Sequence, residues 1–415
     1  MERYKEYKDS GVQWIGEIPS HWGLLKLSQV SYEHYISNKE IHHQNLLSLS
    51  YGKIIRKDIN TAEGLLPASF DTYQIVEDGN IVLRLTDLQN DHKSLRVGLA
   101  KEKGIITSAY VCLGVFNSMF PSYLYNVLHS YDIKKLFYSM GGGLRQNLNW
   151  QGLKKIDIPL PPLSEQERIV NYIESKTSKI DEYLDCQKQE LYLYKELIES
   201  IIYSKNTTDN IVFTSWENFF DSTWHTELGK GLFNEVEIKG FSSERFLAVT
   251  QDKGLIYKDV DGVNFVTAEK KETQKLVCPG EYVISLRSFE GGIEYSTIKG
   301  LVSPAYVVLR LREEYNTREY QMYFRFLFKS VPFVNRLNSI SDSMRDGKAI
   351  KFSDIKHFPF PIPSNKKLEE IFKLSEIYDV KRKAFEEKKL LLEQYKQRLI
   401  ADCVTGQVNV QNETI

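Results

Sequence analysis

The chain has 415 residues, of which 42% are hydrophobic and 26% charged, with 24 Gly and 12 Pro. This composition excludes disordered, collagen-like and low-complexity chains, and the length predicts two to four domains. The 54 Lys and Arg residues and 55 Asp and Glu residues give a net charge of −1. The chain is therefore no general polycation, and any binding of nucleic acid must use locally segregated charge.

The N-terminal sequence and the cysteines indicate where the protein works. The chain opens with polar MERYKEYKDSG, and its longest uncharged apolar run, Ala109 to Phe116, is too short to cross a bilayer. The four cysteines lie far apart and form no CxxC pair, which is typical of a reduced compartment. We expect a cytoplasmic protein. The cysteines are Cys112, Cys186, Cys278 and Cys403.

Three short segments recur in the same order in the two halves of the chain, at offsets of 201, 196 and 202 residues. Collinear matches at a nearly constant offset indicate an internal repeat. Each half has short β-rich runs, then a Pro-rich hinge, then a helical stretch. The matching segments are VEDGNIVLRL (76–85) with VCPGEYVISL (277–286), GIITSAY (104–110) with GLVSPAY (300–306), and IPLPP (158–162) with FPIPS (360–364).

The stretch after each hinge is predicted to be one long helix of about 40 residues, or roughly 60 Å. After the first hinge, Ser164 and Glu167 form a capping-box pattern that predicts the start of a helix. Apolar residues then follow the 4-3 alternation that is typical of paired helices, with Gln187 filling a gap. In the second stretch Lys381 and Lys388 interrupt the pattern. The apolar positions are Ile180, Leu184, Leu191, Tyr194, Ile198 and Ile201, and then Leu374, Tyr378, Phe385, Leu392, Tyr395 and Leu399.

The charges of the two helical stretches favour pairing with each other. Residues 161–205 carry 6 basic and 9 acidic side chains, whereas residues 381–398 carry 7 basic and 3 acidic ones. The alternative is that each helix packs only on its own globular neighbour.

No motif for catalysis stands out. The chain has no GxxxxGK[ST] and no GxGxxG after a strand, and the glycines at 141–143 are expected to form a loop. Asp261, Glu269 and Lys271 could form a nuclease-like set, but such spacing arises by accident in an acid-rich chain. His42 and His43 point to opposite faces if they lie on a strand, which disfavours a shared metal. We therefore expect a binding and assembly protein, with an unrecognised nuclease as one alternative.

Polar loops just before each hinge are candidate nucleic-acid contacts. GGGLRQNLNW (141–150) and SMRDGKAIKF (343–352) combine glycine with cations or amides, and RLTDLQNDHKSLR (84–96) follows a strand-like run. Arginine pairs with guanine, and asparagine or glutamine with adenine, in the major groove. The counterpart SLRSFEGG (285–292) keeps Arg287 and Ser288 but loses most amides, so the two halves are expected to recognise different targets. An ordinary mobile loop is the alternative for each segment, and the aromatic residues are expected in the core.

These segments resemble the specificity subunits of Type I restriction-modification systems over essentially the full chain. The resemblance is carried by YKDSGVQWIGEIPSHW (7–22), IPLPPLSEQERIV (158–170), RLTDLQNDHKSLR (84–96), the segment from Ser288 to Leu309, and LIADCVTGQV (399–408). The second hinge, PIPSNKKLEEI, lacks the SEQ run of the first, and the second half does not open with a DSGVQWIGEIP motif.

The resemblance implies an α+β fold with two globular target recognition domains in pseudo-two-fold repeat. Two long helices, packed as an antiparallel coiled coil, would join them. The expected blocks are a first recognition domain (1–160), a first spacer helix region (161–205), a second recognition domain (206–360), and a second spacer helix region with a C-terminal tail (361–415).

The resemblance also implies the partners. Each recognition domain would read one half of a bipartite target in double-stranded DNA, and the helices would dock two adenine methyltransferase (modification) subunits. Restriction (translocase/endonuclease) subunits would complete the assembly. S-adenosylmethionine, ATP and Mg²⁺ are expected on those partners, with no cofactor, metal or catalysis in this chain. A protein-interaction scaffold that does not bind DNA is the second alternative, beside the unrecognised nuclease.

Two sets of residues follow as candidates. The DNA-binding candidates are Lys53, Arg56, Arg84, Gln89, Asn90, Lys93, Arg96, Arg145, Gln146, Asn147, Lys253, Lys258, Arg287, Ser288, Arg345 and Lys348. The candidates for helix pairing and partner docking are Ile180, Leu184, Leu191, Ile198, Tyr378, Phe385, Leu392 and Leu399. Because the net charge is close to zero, tight DNA binding is expected to need the cationic surface of the methyltransferase subunits.

Overall fold

The computed structural model describes residues 2–60, 69–89, 95–141, 147–203, 216–251, 253–258, 271–286, 288–341 and 350–411. The chain forms two compact units: Met1–Asp185 with Glu387–Ile415 is the first unit, and Cys186–Glu386 is the second unit. Each unit contains its own strands and part of two 40-residue helices, and this arrangement confirms the predicted fold class. The four-block division of the chain stays a prediction.

The described elements follow in chain order. The strands are β1 Tyr7–Asp9, β2 Glu17–Pro19, β3 Gly23–Lys26, β4 Ser31–Glu33, β5 Leu47–Ser50, β6 Lys53–Arg56, β7 Gln74–Val76, β8 Ile81–Leu83, β9 Val97–Leu99, β10 Gly104–Ile106, β11 Val111–Val115, β12 Asp157–Leu160, β13 His225–Leu228, β14 Phe233–Val236, β15 Leu247–Thr250, β16 Gly254–Tyr257, β17 Lys275–Val277, β18 Tyr282–Ile284, β19 Glu294–Tyr295, β20 Gly300–Val302, β21 Val307–Leu311 and β22 Pro359–Ile362. The α-helices are α1 Leu27–Val30, α2 Pro121–Ile133, α3 Trp150–Leu153, α4 Leu163–Ile202, α5 Gly229–Leu232, α6 Ser288–Gly291, α7 Arg318–Leu327, α8 Val331–Ser341, α9 Phe352–Ile355 and α10 Asn365–Val404. Single 3₁₀ turns cover Leu136–Ser139, Trp216–Phe219, Lys271–Thr273 and Glu313–Tyr315.

The strand pairing repeats between the units. The first unit has an antiparallel sheet in the order β4-β11-β8-β9, and the second unit has the same sheet as β14-β21-β18-β19. The two-stranded pairs repeat as well: β5-β6 matches β15-β16, β7-β10 matches β17-β20, and β3-β12 matches β13-β22. The recurring segments of the sequence therefore lie in equivalent strands, which confirms the predicted internal repeat.

Each unit closes around its own apolar core. Trp22, Tyr123 and Phe137 are fully buried in the first unit, and Phe233, Phe324 and Phe328 pack edge-on or tilted in the second. The ends of the long helices enter these cores: Leu399 lies in the first and Ile198 in the second. Burial of apolar side chains thus anchors both helices in the globular parts.

The predicted pattern of apolar residues on the helices is reflected in their burial. Ile198, Leu399 and Leu184 are 0%, 2% and 8% exposed. The other five pairing candidates, Ile180, Leu191, Tyr378, Phe385 and Leu392, are half-buried, whereas Tyr395 is 42% exposed. In the described ranges no helix combines the length and the low polarity that a membrane span needs.

Polar contacts tie α4 to α10 where the apolar pattern is interrupted. In the second unit Lys381 Nζ donates to Glu190 Oε1 at 2.6 Å. In the first unit Lys388 Nζ donates to Tyr183 Oη at 3.1 Å, and Lys396 Nζ to Asp181 Oδ1 at 2.6 Å. The helices therefore run antiparallel, and the two lysines that interrupt the pattern contact the partner helix.

Two local expectations need correction. The first Pro-rich hinge is a strand, because residues 157–160 pair with β3 in antiparallel register and α4 begins only three residues later. Ser164 lies within the first turn of α4, which starts at Leu163, so it does not cap the helix from outside. The backbone N–H groups of Glu165 and Gln166 instead donate to the carbonyl oxygen of Pro162.

Candidate nucleic-acid interface

Two of the predicted polar loops of the first unit lie side by side. The backbone N–H of Asp87 donates to Asn147 Oδ1 at 2.8 Å, and the backbone N–H of Leu148 donates to the carbonyl oxygen of Leu85 at 2.9 Å. Next to them, Gln89 is exposed and Arg84 is half-buried. The fold thus brings Arg84, Gln89 and Asn147 into one region of the first unit. Asn90, Lys93, Arg145 and Gln146 lie outside the described residues.

Arg96 has a structural position, which corrects its assignment as a DNA contact. Its side chain is fully buried, and Nη1 donates to the carbonyl oxygens of Arg84 at 3.1 Å and Thr86 at 2.8 Å. Its Nε donates to the hydroxyl of Tyr138 at 2.9 Å. Burial of a guanidinium is costly unless it is hydrogen-bonded. The bonds of Arg96 to the carbonyl oxygens of Arg84 and Thr86 satisfy it and fix the start of the polar loop.

The β5-β6 hairpin carries two further candidates of the first unit. Lys53 is exposed beside the turn, whereas Arg56 forms a bidentate ion pair with Glu102, with Nε at 2.7 and 2.8 Å from its two oxygens. Asn45 Nδ2 also donates to Glu102 Oε2, at 2.9 Å. Hydrogen bonds from Arg56 lower the pKa of the Glu102 carboxyl. The charge of Arg56 is therefore balanced within the protein.

The DNA-binding candidates of the second unit that the structure describes differ from one another in their exposure. Lys253 is exposed in the β15-β16 turn, and Lys258 is half-buried with Nζ 5.5 Å from the centre of the Phe246 ring. Ser288 is only 1% exposed, and its Oγ accepts the backbone N–H of Ser285 at 2.8 Å. This burial corrects its assignment as a DNA contact. Arg287, Arg345 and Lys348 lie outside the described residues.

A cluster of cations on aromatic rings, which sequence reasoning missed, lies beside the β15-β16 hairpin. The guanidinium carbon of Arg245 is 3.9 Å from the centre of the Tyr257 ring, and Lys271 Nζ, like that of Lys258, is 5.5 Å from Phe246. The hairpin brings these residues together, since the backbone N–H of Lys258 donates to the carbonyl oxygen of Phe246. Cations that lie over aromatic faces and still reach the surface can contact phosphate. No pattern in the sequence links Arg245 to Tyr257, because only the pairing of β15 with β16 brings the two side chains together.

Three of the sequence segments that carry the resemblance meet at the start of α4. Glu165 is 3% exposed, and its carboxylate accepts hydrogen bonds from Tyr4 Oη and, at 3.2 Å, from Trp22 Nε1; Oε2 lies 2.9 Å from His21 Nε2. Tyr7 Oη donates to the carbonyl oxygen of Gly406 at 2.8 Å. The segments 7–22, 158–170 and 399–408 thus form one junction, and their side chains are structural.

The described residues contain no group of three His, Cys, Asp or Glu side chains that could hold a metal. Of the nuclease-like alternative, Asp261 and Glu269 lie outside the described residues, and Lys271 Nζ donates to the carbonyl oxygen of Glu244 at 3.2 Å.

Comparisons with known proteins agree with this geometry. Residues 97–191 match the family model for the Type I restriction modification DNA specificity domain, and this match confirms the resemblance seen in the sequence. The chain also has the fold of a solved chain described under "Structural basis underlying complex assembly and conformational transition of the type I R-M system". The two share 15% identity at a TM-score of 0.55, over 94% of this chain and 99% of that one.

Two more solved structures are similar over nearly the whole chain. They are the HsdS subunit from Thermoanaerobacter tengcongensis (14% identity, TM-score 0.39, 96% of this chain and 100% of that one) and the Type-I restriction-modification system S subunit from M. genitalium (15% identity, TM-score 0.44, 92% and 96%).

Proposed function

We propose that this chain, which is similar to Type I restriction-modification specificity subunits, is the DNA-recognition subunit of such a system. In this role the first unit reads one half-site of a bipartite DNA target and the second unit reads the other. The continuous helices α4 and α10 fix the gap between the half-sites. The chain itself performs no catalysis.

The observation that carries the proposal is a repeated scaffold with different surface chemistry. On the β5-β6 hairpin Arg56 lies opposite Leu47 and is bound to Glu102. At the equivalent position of β15-β16, Tyr257 lies opposite Leu247 and supports Arg245. The first hairpin thus carries an arginine whose charge Glu102 balances, whereas the second carries an exposed arginine over an aromatic ring. Because contacts with DNA depend on the side chains that a surface presents, the two units are suited to two different half-sites.

Exposed apolar side chains on the long helices support docking of the methyltransferase subunits. Leu193 on α4 is 62% exposed, and Leu390 and Leu391 on α10 are 61% and 64% exposed. Leu390 and Leu391 are neighbours in the first unit, and adjoining exposed aliphatic side chains are typical of an interaction surface. In the assembly S-adenosylmethionine belongs to the methyltransferase subunits, whereas ATP and Mg²⁺ serve the restriction subunits.

The test is to co-express the chain with the methyltransferase subunit of the same system in an unmethylated host and to map methylated adenines genome-wide. We expect one bipartite motif with a fixed gap. Methylation without such a motif, or an assembled complex that methylates nothing, would contradict the proposal. Indifference of the complex to DNA sequence would favour the scaffold alternative.

A further inference from the structure

The tip of the β5-β6 hairpin in the first unit carries an exposed aromatic side chain. Ser50 pairs with Lys53, so Tyr51 and Gly52 alone form the turn. Tyr51 is 77% exposed, the highest value among the large hydrophobic side chains of the described residues. Contact of water with a large ring is unfavourable, so the fold gains nothing from an aromatic residue at this position.

The backbone of Tyr51 is strained. Its φ is +45°, and that of Gly52 is +79°. Both central residues of a type I′ turn need a positive φ, which asparagine and glycine adopt readily and bulky side chains avoid. Asn-Gly is therefore the pair that favours this turn, and tyrosine makes the turn less stable. Residues that are held in such conformations cluster at binding sites.

The hairpin holds the ring of Tyr51 in a defined place. Leu47 and Leu49 of β5 are 2% and 8% exposed. A Cβ on Gly98 of β9 would lie 2.6 Å from Leu49 Cδ1, so the hairpin packs closely on the sheet. The turn is also held on α2, because Tyr125 Oη donates to the carbonyl oxygen of Gly52 at 3.4 Å. The ring is thus presented to a partner by an anchored support.

The charges around the tip are balanced. The tip borders a cleft of about 640 Å³, which among the described residues is lined by three basic and four acidic side chains. Arg56 is bound to Glu102, and Lys396 to Asp181. A phosphate group finds no surplus of positive charge here, whereas the neutral edge of a base pair is not repelled. The charged lining residues are Lys53, Lys101, Lys396, Glu102, Glu174, Asp181 and Glu393.

We infer that Tyr51 contacts base edges in the half-site of the first unit, with its ring against the C5-methyl group of a thymine in the major groove. This inference rests on the proposed function, because it names a residue that sets the sequence of one half-site. A two-stranded ribbon fits the major groove, and the thymine methyl is the apolar group that base pairs present there.

The contact is a property of the first unit and not of the repeated scaffold. In the second unit Thr250 pairs with Gly254, so the equivalent turn has a different length. Its described residues, Gln251 and Lys253, are polar and exposed. An apolar contact at the hairpin tip therefore distinguishes the first half-site from the second.

The test uses the complex with the methyltransferase subunit and a duplex with the target found by methylation mapping. Tyr51→Asn should weaken DNA binding about tenfold. The same variant should raise the midpoint of thermal unfolding by about 2 °C, because asparagine favours the turn. Tyr51→Phe keeps the ring and should retain most of the affinity. Tyr35→Asn, at a tyrosine of the first unit that is 60% exposed outside the hairpin, is the matched control and should leave the affinity unchanged.

Replacement of single thymines by deoxyuridine, which lacks only the methyl group, tests the contact itself. At one position of one half-site it should lower the affinity of the unaltered complex about fourfold. The same replacement should have no further effect on the complex with Tyr51→Asn, because the ring that meets the methyl group is gone.

The outcomes separate this inference from the proposed function. Unchanged DNA affinity of Tyr51→Asn, with a bipartite target methylated by the unaltered complex, would overturn the inference alone. A loss in Tyr51→Asn that no deoxyuridine reproduces would indicate another kind of contact and also overturn it. Weaker association of this variant with the methyltransferase subunit would identify a protein as the partner, with the same consequence. If the unaltered complex has no bipartite target, the proposed function fails as well.

Discussion

His129 on α2 gives the structure a measurable response to acid. Its ring stacks on Tyr125 with centroids 5.6 Å apart, and its Nδ1 is buried with no hydrogen-bond partner among the described residues. Burial, together with the positive charge of Lys396, lowers the pKa of His129 from 6.5 to about 4. The folded protein thus holds this imidazole neutral at pH values where the unfolded chain protonates it.

The sign and size of the effect follow from this difference in pKa. Between pH 6.5 and 4 the unfolded chain binds a proton at His129 that the folded chain does not, so acid favours unfolding. A pKa lowered from 6.5 to about 4 corresponds to about 3 kcal/mol once the pH is below both values. About 2 kcal/mol of this should be lost by pH 5. Below about pH 4 the contribution of His129 stays constant.

The assay compares urea unfolding of the unaltered chain and His129→Phe at neutral pH and near pH 5. The phenyl ring keeps the stack on Tyr125 but cannot titrate, so the variant should lose about 2 kcal/mol less stability on acidification. All other titrating groups are common to both proteins and cancel in the comparison. The exposed His225, changed to Gln, is the control and should follow the unaltered chain. An equal loss in the unaltered chain and His129→Phe would refute the argument.

Three further predictions concern stability and are checked by denaturant unfolding. Glu165→Ala leaves buried donors without an acceptor and should cost about 3 kcal/mol, whereas Glu165→Gln keeps one acceptor oxygen and should cost about half as much. Gly406→Ala should cost at least about 2 kcal/mol, because φ is +73° and the new Cβ would lie 2.3 Å from Pro19 Cδ. Gly11→Ala, at φ +71° with open space around it, should cost only about 1 kcal/mol; equal costs would contradict the steric account. Arg96→Met should destabilise the first unit by about 3 kcal/mol, and a stable variant would show that the buried hydrogen bonds are dispensable.

Sequence patterns predicted the elements that depend on residues close to one another in the chain. Two helices of about 40 residues followed from periodic apolar positions, and the structure contains both, each with 40 residues. The internal repeat followed from matching segments and appears as equivalent strand pairs. The prediction of a hinge at 158–162 was wrong, because residues 157–160 form a strand that pairs with β3. Proline is tolerated there because each strand of a two-stranded pair has one edge without a hydrogen-bonded neighbour.

Contacts between distant residues could not be predicted in this way. In the sequence Arg96 lies in a polar run, which predicts a surface cation. Only the structure shows that it is buried, with Tyr138 and backbone carbonyl groups around its guanidinium. The junction at Glu165 joins residues more than 140 positions apart. Likewise, the contact of Arg245 with Tyr257 depends on a hairpin pairing that neither residue reveals alone.

If each repeated unit reads its own half-site, as proposed, exchange of one unit's recognition region should alter that half-site alone. Residues 1–157 would be replaced by the corresponding region of a known Type I specificity subunit, and methylated adenines would be mapped in cells that contain the methyltransferase subunit. We expect one half-site to change while the other half-site and the gap stay as in the unaltered chain. A change in both half-sites, or in neither, would contradict it.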